Sequence, residues 1–416
     1  MRIAIVGSGV SGLVAAHLLH DRHDVTLFES GERPGGHTNT VRVDLADATV
    51  EVDTGFLVYT ERNYPNFVRL LQRLGVATQP SDMSFSMSDE HSGIEWRGTS
   101  PSTVFARRRN IVRPAFLRML ADVGRFNRTA LRLLEDPPAE HVTLADVLAT
   151  RRWSRGFLDW YLVPLGASIW SADPGTFMSI PAARFARFFE RHGLLRFADQ
   201  PGWRTVSGGA RHYVDAIVAP LAALGRLRLG TPVGKIRRTP GGVELWSPRT
   251  GSETFDHVVV ATHSDQALGL LSDPTRLERD VLGAVRYQPN RATLHTDTGL
   301  MPSNRRAWAS WNYHRADPEP ERATLTYYLN TLQGLETREG VFVTLNRDEV
   351  IDPEKVIASF DYAHPVLDTA AAIAQSRRLE LNSGRVSFCG AYFGDGFHED
   401  GVRSALEACE PFGVGL

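Results

Sequence analysis

The chain has 416 residues, with Lys+Arg 46 against Asp+Glu 48 and a net charge of -2. That balance excludes a broadly basic nucleic-acid surface, and two cysteines, Cys389 and Cys409, are too few for a disulfide framework or a metal site. No apolar run approaches the roughly 20 residues of a membrane span, and Met1 leads straight into a strand with no room for a signal peptide, so a cytosolic setting is expected.

Arg2 to Val6 is a short apolar run of strand type that empties into Gly7-Ser8-Gly9-Val10-Ser11-Gly12. The Ala-rich helix pattern Leu13 to Leu19 follows, then a second strand, Asp24 to Phe28, ending in Glu29. Strand, glycine turn, helix and strand with a closing acid is the order a dinucleotide requires. Gly7 permits the tight turn, Gly9 admits the pyrophosphate to the backbone, and Gly12 lets the helix pack on the sheet. The amides of the helix start, Val10 and Ser11 among them, are expected at the phosphates. Glu29 is placed for ribose hydroxyls. The Gly35-Gly36 pair that follows offers amides to a second phosphate side, which favours FAD over NAD.

Val41 to Phe56 alternates as paired strands do, with a turn at Asp44 to Ala48 and Asp53-Thr54-Gly55 at its close. Asn63 to Leu74 predicts a helix with Phe67, Leu70, Leu71 and Leu74 on one stripe and Gly75 as its stop. Asn110 to Leu134 predicts another, decorated by Arg113, Arg118, Arg125, Arg128 and Arg132 and preceded by Arg107-Arg108-Arg109. Two readings of it stay open: a solvated face over a core stripe, or attachment to anionic lipid headgroups. The aromatic stretches Trp153 to Ser171 and Pro181 to Leu195 are core by spacing, and their density suggests a deep apolar cavity at a domain junction. Asp256 to Thr262 reads as a buried parallel strand. Trp308, Trp311, Tyr313 and Tyr327 fall on later strands, some of them able to face a pocket floor. Asp352-Pro353-Glu354 reads as a helix start. Val386 to Cys389 is a final buried strand, and Val402 to Cys409 a helix that Asp400 can cap.

The stretches Ser30-Gly31-Glu32-Arg33-Pro34-Gly35-Gly36-His37-Thr38, Val52-Asp53-Thr54-Gly55-Phe56, Tyr64-Pro65-Asn66-Phe67, Pro80-Ser81-Asp82-Met83-Ser84-Phe85, Trp203-Arg204-Thr205-Val206 and Gly396-Phe397-His398-Glu399-Asp400-Gly401 carry a resemblance. They resemble the flavoprotein superfamily of amine oxidases, phytoene desaturases and protoporphyrinogen oxidases. More closely, the chain is similar to a bacterial family of NAD/FAD-binding oxidoreductases encoded beside cyclopropane fatty-acid synthase-like methyltransferases. The resemblance implies an α/β fold: a Rossmann-like FAD-binding domain with a discontinuous α+β substrate domain, of the amine oxidase/glutathione reductase-2-like type. The FAD domain would take residues 1–82, 203–271 and 385–416, and the substrate domain residues 83–202 and 272–384. It also implies cofactor contacts from Ser30, Gly35, Gly36, His37 and Thr38, from Asp53, Gly55 and Phe56 near the isoalloxazine, and from Val233 at the adenine. Ala261 and Thr262 would lie beneath the dinucleotide, with Gly390, Gly394, Asp395, Gly396, His398, Gly401 and Val402 at the flavin end.

FAD supplies the redox step, so few protein groups are needed. His398 is the candidate for exchanging a proton with substrate, kept neutral by the helix N-terminus behind it. Glu399 is the weaker candidate, expected to turn to solvent or to an arginine. An apolar pocket poor in ionisable groups suits a lipid-like, fatty-acyl substrate undergoing desaturation, saturation or double-bond isomerisation. Oxidation of an amine is the first alternative, although neither Lys235 nor Lys355 is placed for the lysine usual near the flavin in such oxidases. A non-catalytic flavin-binding partner of a lipid methyltransferase is the second. A peripheral contact with an anionic membrane is a further expectation, and no nucleic-acid partner is expected.

Overall fold

The computed structural model describes residues 1–196, 201–316, 322–382 and 384–416. The chain is organised around five parallel strands in the order Leu227–Arg228, Asp24–Phe28, Arg2–Val6, His257–Val260 and Val386–Phe388. Their apolar runs do not alternate because both faces are covered: Ile3, Ala4, Ile5, Val258 and Val259 are fully buried. The helices Val10–Leu19, Pro65–Leu74, Arg211–Ala223 and His398–Cys409 pack one face. The other carries an antiparallel meander, Lys235–Thr239, Gly242–Ser247 and Gly251–Phe255.

Helices Arg276–Leu282 and Thr369–Ser376 also cover that second face, through Val281, Leu282, Ala371 and Ala374. They lie inside the segment 272–384 expected in the substrate domain. Their apolar positions announce a helix but not the sheet it will cover.

Two close approaches fix the turn at the head of this layer. Gly7 has φ +98, and a Cβ there would lie 2.9 Å from the Ala261 carbonyl oxygen. A Cβ on Gly401 would lie 2.5 Å from Val10 Cγ1, and Ser11 Oγ donates to the Gly401 carbonyl at 3.0 Å. The helix His398–Cys409 is therefore seated directly against the helix that follows the glycine turn.

The second layer is a seven-stranded sheet in the order Val356–Pro365, Tyr287–His295, Phe342–Leu345, Leu325–Tyr328, Trp311–Arg315, Phe85–Asp89 and Ile94–Arg97. Where a helix start was expected, Pro353–Lys355 makes only a 3-10 turn before the strand Val356–Pro365, whose β-branched opening and Phe360/Tyr362 favour extended backbone. The arginine-decorated helix runs Pro114–Glu135 rather than from Asn110, because Pro114 sits at its first turn and biases Arg113 to extended backbone. Arg108–Val112 forms a separate 3-10 turn. Phe126 of the long helix packs with Phe157, Phe177 and Phe185 in a buried aromatic body beneath it.

Candidate active site

A cavity of about 1330 Å³ runs from the glycine turn to the seven-stranded sheet. It is larger than an ordinary ligand cleft of about 300–1,000 Å³, so a dinucleotide and a substrate can share it. The glycine-turn end is lined by Gly7, Ser8, Gly9, Val10, Ser11 and Glu29. The far end is walled by Trp96, Met119, Tyr161, Trp170, Trp311 and Tyr327.

At the near end Glu29 is held by two amides, Ser8 N–H at 2.9 Å and Gly31 N–H at 2.8 Å. Its other acceptor sites take the Ser8 hydroxyl at 2.6 Å and the Ser30 hydroxyl at 3.2 Å. Hydroxyls rotate away readily, so these two positions are the ones ribose hydroxyls can occupy. A Cβ on Gly9 would meet nothing within 4 Å, while one on Gly36 would lie 3.1 Å from Gly9 Cα. Two bare backbones thus face each other across the groove. The helix Val10–Leu19 starts here with no side-chain cap, leaving its first amides for an anion. Arg33 adds a cation that the sequence reading passed over. Its guanidinium donates to the Gly36 carbonyl at 2.9 Å and the Thr38 carbonyl at 3.2 Å and lines the groove.

Ser30, Gly35, His37, Gly55, Phe56, Ala261, Thr262, Gly390, Asp395, Gly396 and His398 also line the cavity. Gly12, Thr38, Asp53, Val233, Gly394, Gly401 and Val402 do not, and each is engaged elsewhere. Gly12 abuts the turn at Gly7. Val402 is buried in the helical core, and Val233 packs under the meander. The Gly394 carbonyl accepts Gln375 Nε2 at 2.9 Å. Asp53 is fully buried and accepts Ala210 N–H at 3.0 Å and Gln333 Nε2 at 3.2 Å. Burial pushes its carboxyl up to about 7. It ties the hairpin Thr40–Asp44 and Thr49–Asp53 to the helix Arg211–Ala223, behind the groove rather than in it.

His398 opens its helix with the ring stacked on Phe56, centroids 3.5 Å apart. Its Nε2 lies 3.1 Å from both Thr38 Oγ1 and Tyr213 Oη. Burial, rather than the helix terminus, holds its pKa down to about 3. So depressed, the imidazole is neutral at pH 7, and the contacts of its Nε2 with Thr38 and Tyr213 hold the ring in place. Glu399 is half-buried and its carboxylate is held by backbone amides. It accepts Phe67 N–H at 3.0 Å and Asn66 N–H at 3.1 Å, capping the helix Pro65–Leu74, and is absent from the cavity lining.

Where the two ends meet, His37 stacks on Tyr362 at 4.8 Å and stands 5.3 Å from His364 and 6.0 Å from His263. Burial keeps all three imidazoles below the ordinary histidine range, His364 at about 4. At the far end the indole N–H groups of Trp170 and Trp311 are buried with no hydrogen-bond partner, on rings only 7% and 9% exposed. Among the described residues no group of His, Cys, Asp and Glu could hold a metal ion.

Residues 10–294 match the family model of flavin containing amine oxidoreductases. The chain belongs to this family. FAD is its cofactor, and the uncapped helix, the paired glycines and the anchored Glu29 fit that dinucleotide. A flavin-containing monoamine oxidase by name, AofH of Mycobacterium tuberculosis, is 26% identical over 288 residues, covering 65% of this chain and 59% of its own length. Cyclohexylamine oxidase from Brevibacterium oxydans shares the fold with a TM-score of 0.69 at 16% identity, over 99% of this chain and 98% of that one. The CLA-producing fatty acid isomerase from P. acnes shares it with a TM-score of 0.67 at 14% identity, over the same shares.

In this member of the family neither lysine reaches the cavity. Lys235 is exposed on the meander, and Lys355 pairs with Asp297 at 3.3 Å and Asp352 at 3.5 Å. The aromatic density legible in the sequence does line the far end, but with Tyr161, Trp170, Trp311 and Tyr327, while Trp153 and Phe185 are spent on the core.

Proposed function

We propose that this family member is an FAD-dependent oxidoreductase acting on a lipid-like acyl chain at an allylic or otherwise activated carbon. Bound FAD supplies the hydride acceptor or donor. The chain supplies a chamber of aromatic and aliphatic walls and a neutral histidine cluster at the junction. Those walls carry the reading: Met119, Leu120, Val123, Leu165 and Ile169 offer an acyl chain apolar contact along the far end. An alkylammonium entering them would lose hydration that such walls do not replace. The shared fold with a fatty acid isomerase is compatible with such a substrate.

Amine oxidation is the second reading, favoured by the names of AofH and of cyclohexylamine oxidase. The two part in a titration followed by flavin absorbance. A long-chain acyl ester is expected to perturb the flavin spectrum, and Val123→Asp, which sets a carboxylate in the apolar wall, to weaken that binding at least about 10-fold. Anaerobic bleaching of the flavin by an alkylamine but by no acyl lipid would overturn the acyl reading.

His398→Gln bears on the proton. As a strut, the residue predicts flavin reduction by substrate within a few-fold of the parent. A slowing of about 100-fold or more, with flavin content intact, would give His398 the proton-transfer role after all.

A further inference from the structure

Between Glu95 and Asp122 the chain carries Arg97, Arg107, Arg108, Arg109, Arg113 and Arg118 and no acidic residue. Arg97 pairs with Asp82 and Arg107 with Glu95. Arg109 and Arg113 donate through Nη2 to the backbone carbonyls of Gly93 at 2.6 Å and Ser92 at 3.0 Å, which does not neutralise their charge. Arg108 and Arg118 are exposed and make no ion pair among the described residues. The nearby Glu90 is engaged by Arg347 and His314. Among these cations stand Ile111 at 47%, Val112 at 79% and Leu117 at 43% exposure. Val112 is the most exposed large hydrophobic side chain of the described residues.

We propose that this turn and helix start dock on an anionic lipid bilayer. Ile111, Val112 and Leu117 enter the headgroup–acyl boundary while Arg108, Arg109 and Arg118 meet lipid phosphates. Uncompensated positive charge around an apolar tip matches a negatively charged surface. It disfavours a second copy of this chain, because a two-fold contact would set the same arginines against themselves. The arrangement also has a direction. The helix Pro114–Glu135 that presents Leu117 and Arg118 outward sends Met119, Leu120 and Val123 into the cavity lining. Docking therefore sets a wall of the apolar chamber beside the bilayer. That last consequence rests on the acyl reading; the docking does not.

The test uses the flavin-loaded full chain, without substrate, co-sedimented with vesicles of phosphatidylcholine alone or mixed with phosphatidylglycerol. Salt-sensitive binding to the mixed vesicles is expected, with little to the neutral ones. Arg108→Gln with Arg118→Gln should lower partitioning about 25-fold, at about fivefold per basic residue near the surface. Val112→Ser with Leu117→Ser should weaken what remains at high salt. An unchanged flavin-to-protein ratio shows that both variants are folded. Equal binding to the two vesicle types, no binding, or undiminished binding of the arginine variant overturns the proposal. So does a dimer by light scattering that Val112→Ser dissolves. Since no substrate enters the assay, failure of the acyl reading would leave its result unchanged.

Discussion

Glu29→Arg is expected to bind FAD at least 100-fold more weakly and to purify colourless where the parent is yellow. The carboxylate accepts the amides of Ser8 and Gly31, and its remaining sites are the ones ribose hydroxyls can take. Hydrogen bonds to a charged group contribute about 1.5–3 kcal/mol each, and every 1.4 kcal/mol is about tenfold in affinity. Losing two to ribose already reaches about 100-fold. An arginine also leaves the Ser8 amide without its acceptor at the point where the turn must hold its shape. The ratio of flavin to protein absorbance and a reconstitution titration measure the effect, with circular dichroism as the control for folding. Stoichiometric flavin in that variant would mean that the adenosine half is held by other residues.

Acidification from pH 7 to pH 5 is expected to remove about 5 kcal/mol of stability. Burial holds His17, His257, His295 and His364 down to about 4 and His398 to about 3. The unfolded chain takes up these protons near pH 6.5 while the folded chain refuses them, so stability falls as pH falls through that range. At pH 5 each such group contributes a loss of about 2 kcal/mol. Asp53, pushed up to about 7 by burial, works the other way. Its folded form binds a proton first and recovers about 2–3 kcal/mol over the same interval. Asp400 is raised by burial and by the charge of Asp395 and acts in the same sense. Five imidazoles outweigh two carboxyls, and the net is a large part of a typical stability of about 5–15 kcal/mol. Urea midpoints at the two pH values measure it; equal or greater stability at pH 5 would show that these rings take up protons in the folded protein.

The dinucleotide end was legible because its grammar is local. Gly7, Gly9, Gly12 and Glu29 lie within one strand–turn–helix–strand unit, where order alone dictates which backbone faces the ligand. Arg33 sat inside the same run and could have been read as a cation beside a Gly-Gly pair. The junction was not legible. His37, His263 and His364 come from a turn, a strand end and a distant strand, and only the tertiary fold brings the rings together. Tyr362 and His364 do share one face by the two-residue strand period, but the proline before them suggested a helix. Asp53 and Glu399 show the opposite failure. Each stands in a motif beside the site, yet its carboxylate is consumed by backbone amides of a neighbouring helix. A motif names a neighbourhood, while hydrogen-bond demand decides which of its members remain free for a ligand.

The order of strands in the parallel sheet has a consequence for synthesis. Arg2–Val6 lies between Asp24–Phe28 and His257–Val260, and the outer strand, Val386–Phe388, leads into the helix that seats against Val10 and Ser11. A ribosome would have to release some four hundred residues before the glycine turn met its last neighbours. Such long-range pairing is slow to form and leaves apolar strand edges exposed while it waits. The nascent chain therefore cannot complete its FAD cradle until the helix His398–Cys409 has emerged. Scarcity of the vitamin during expression would then appear not as stalled translation but as a pool of full-length apoprotein, open to rescue by flavin added afterwards.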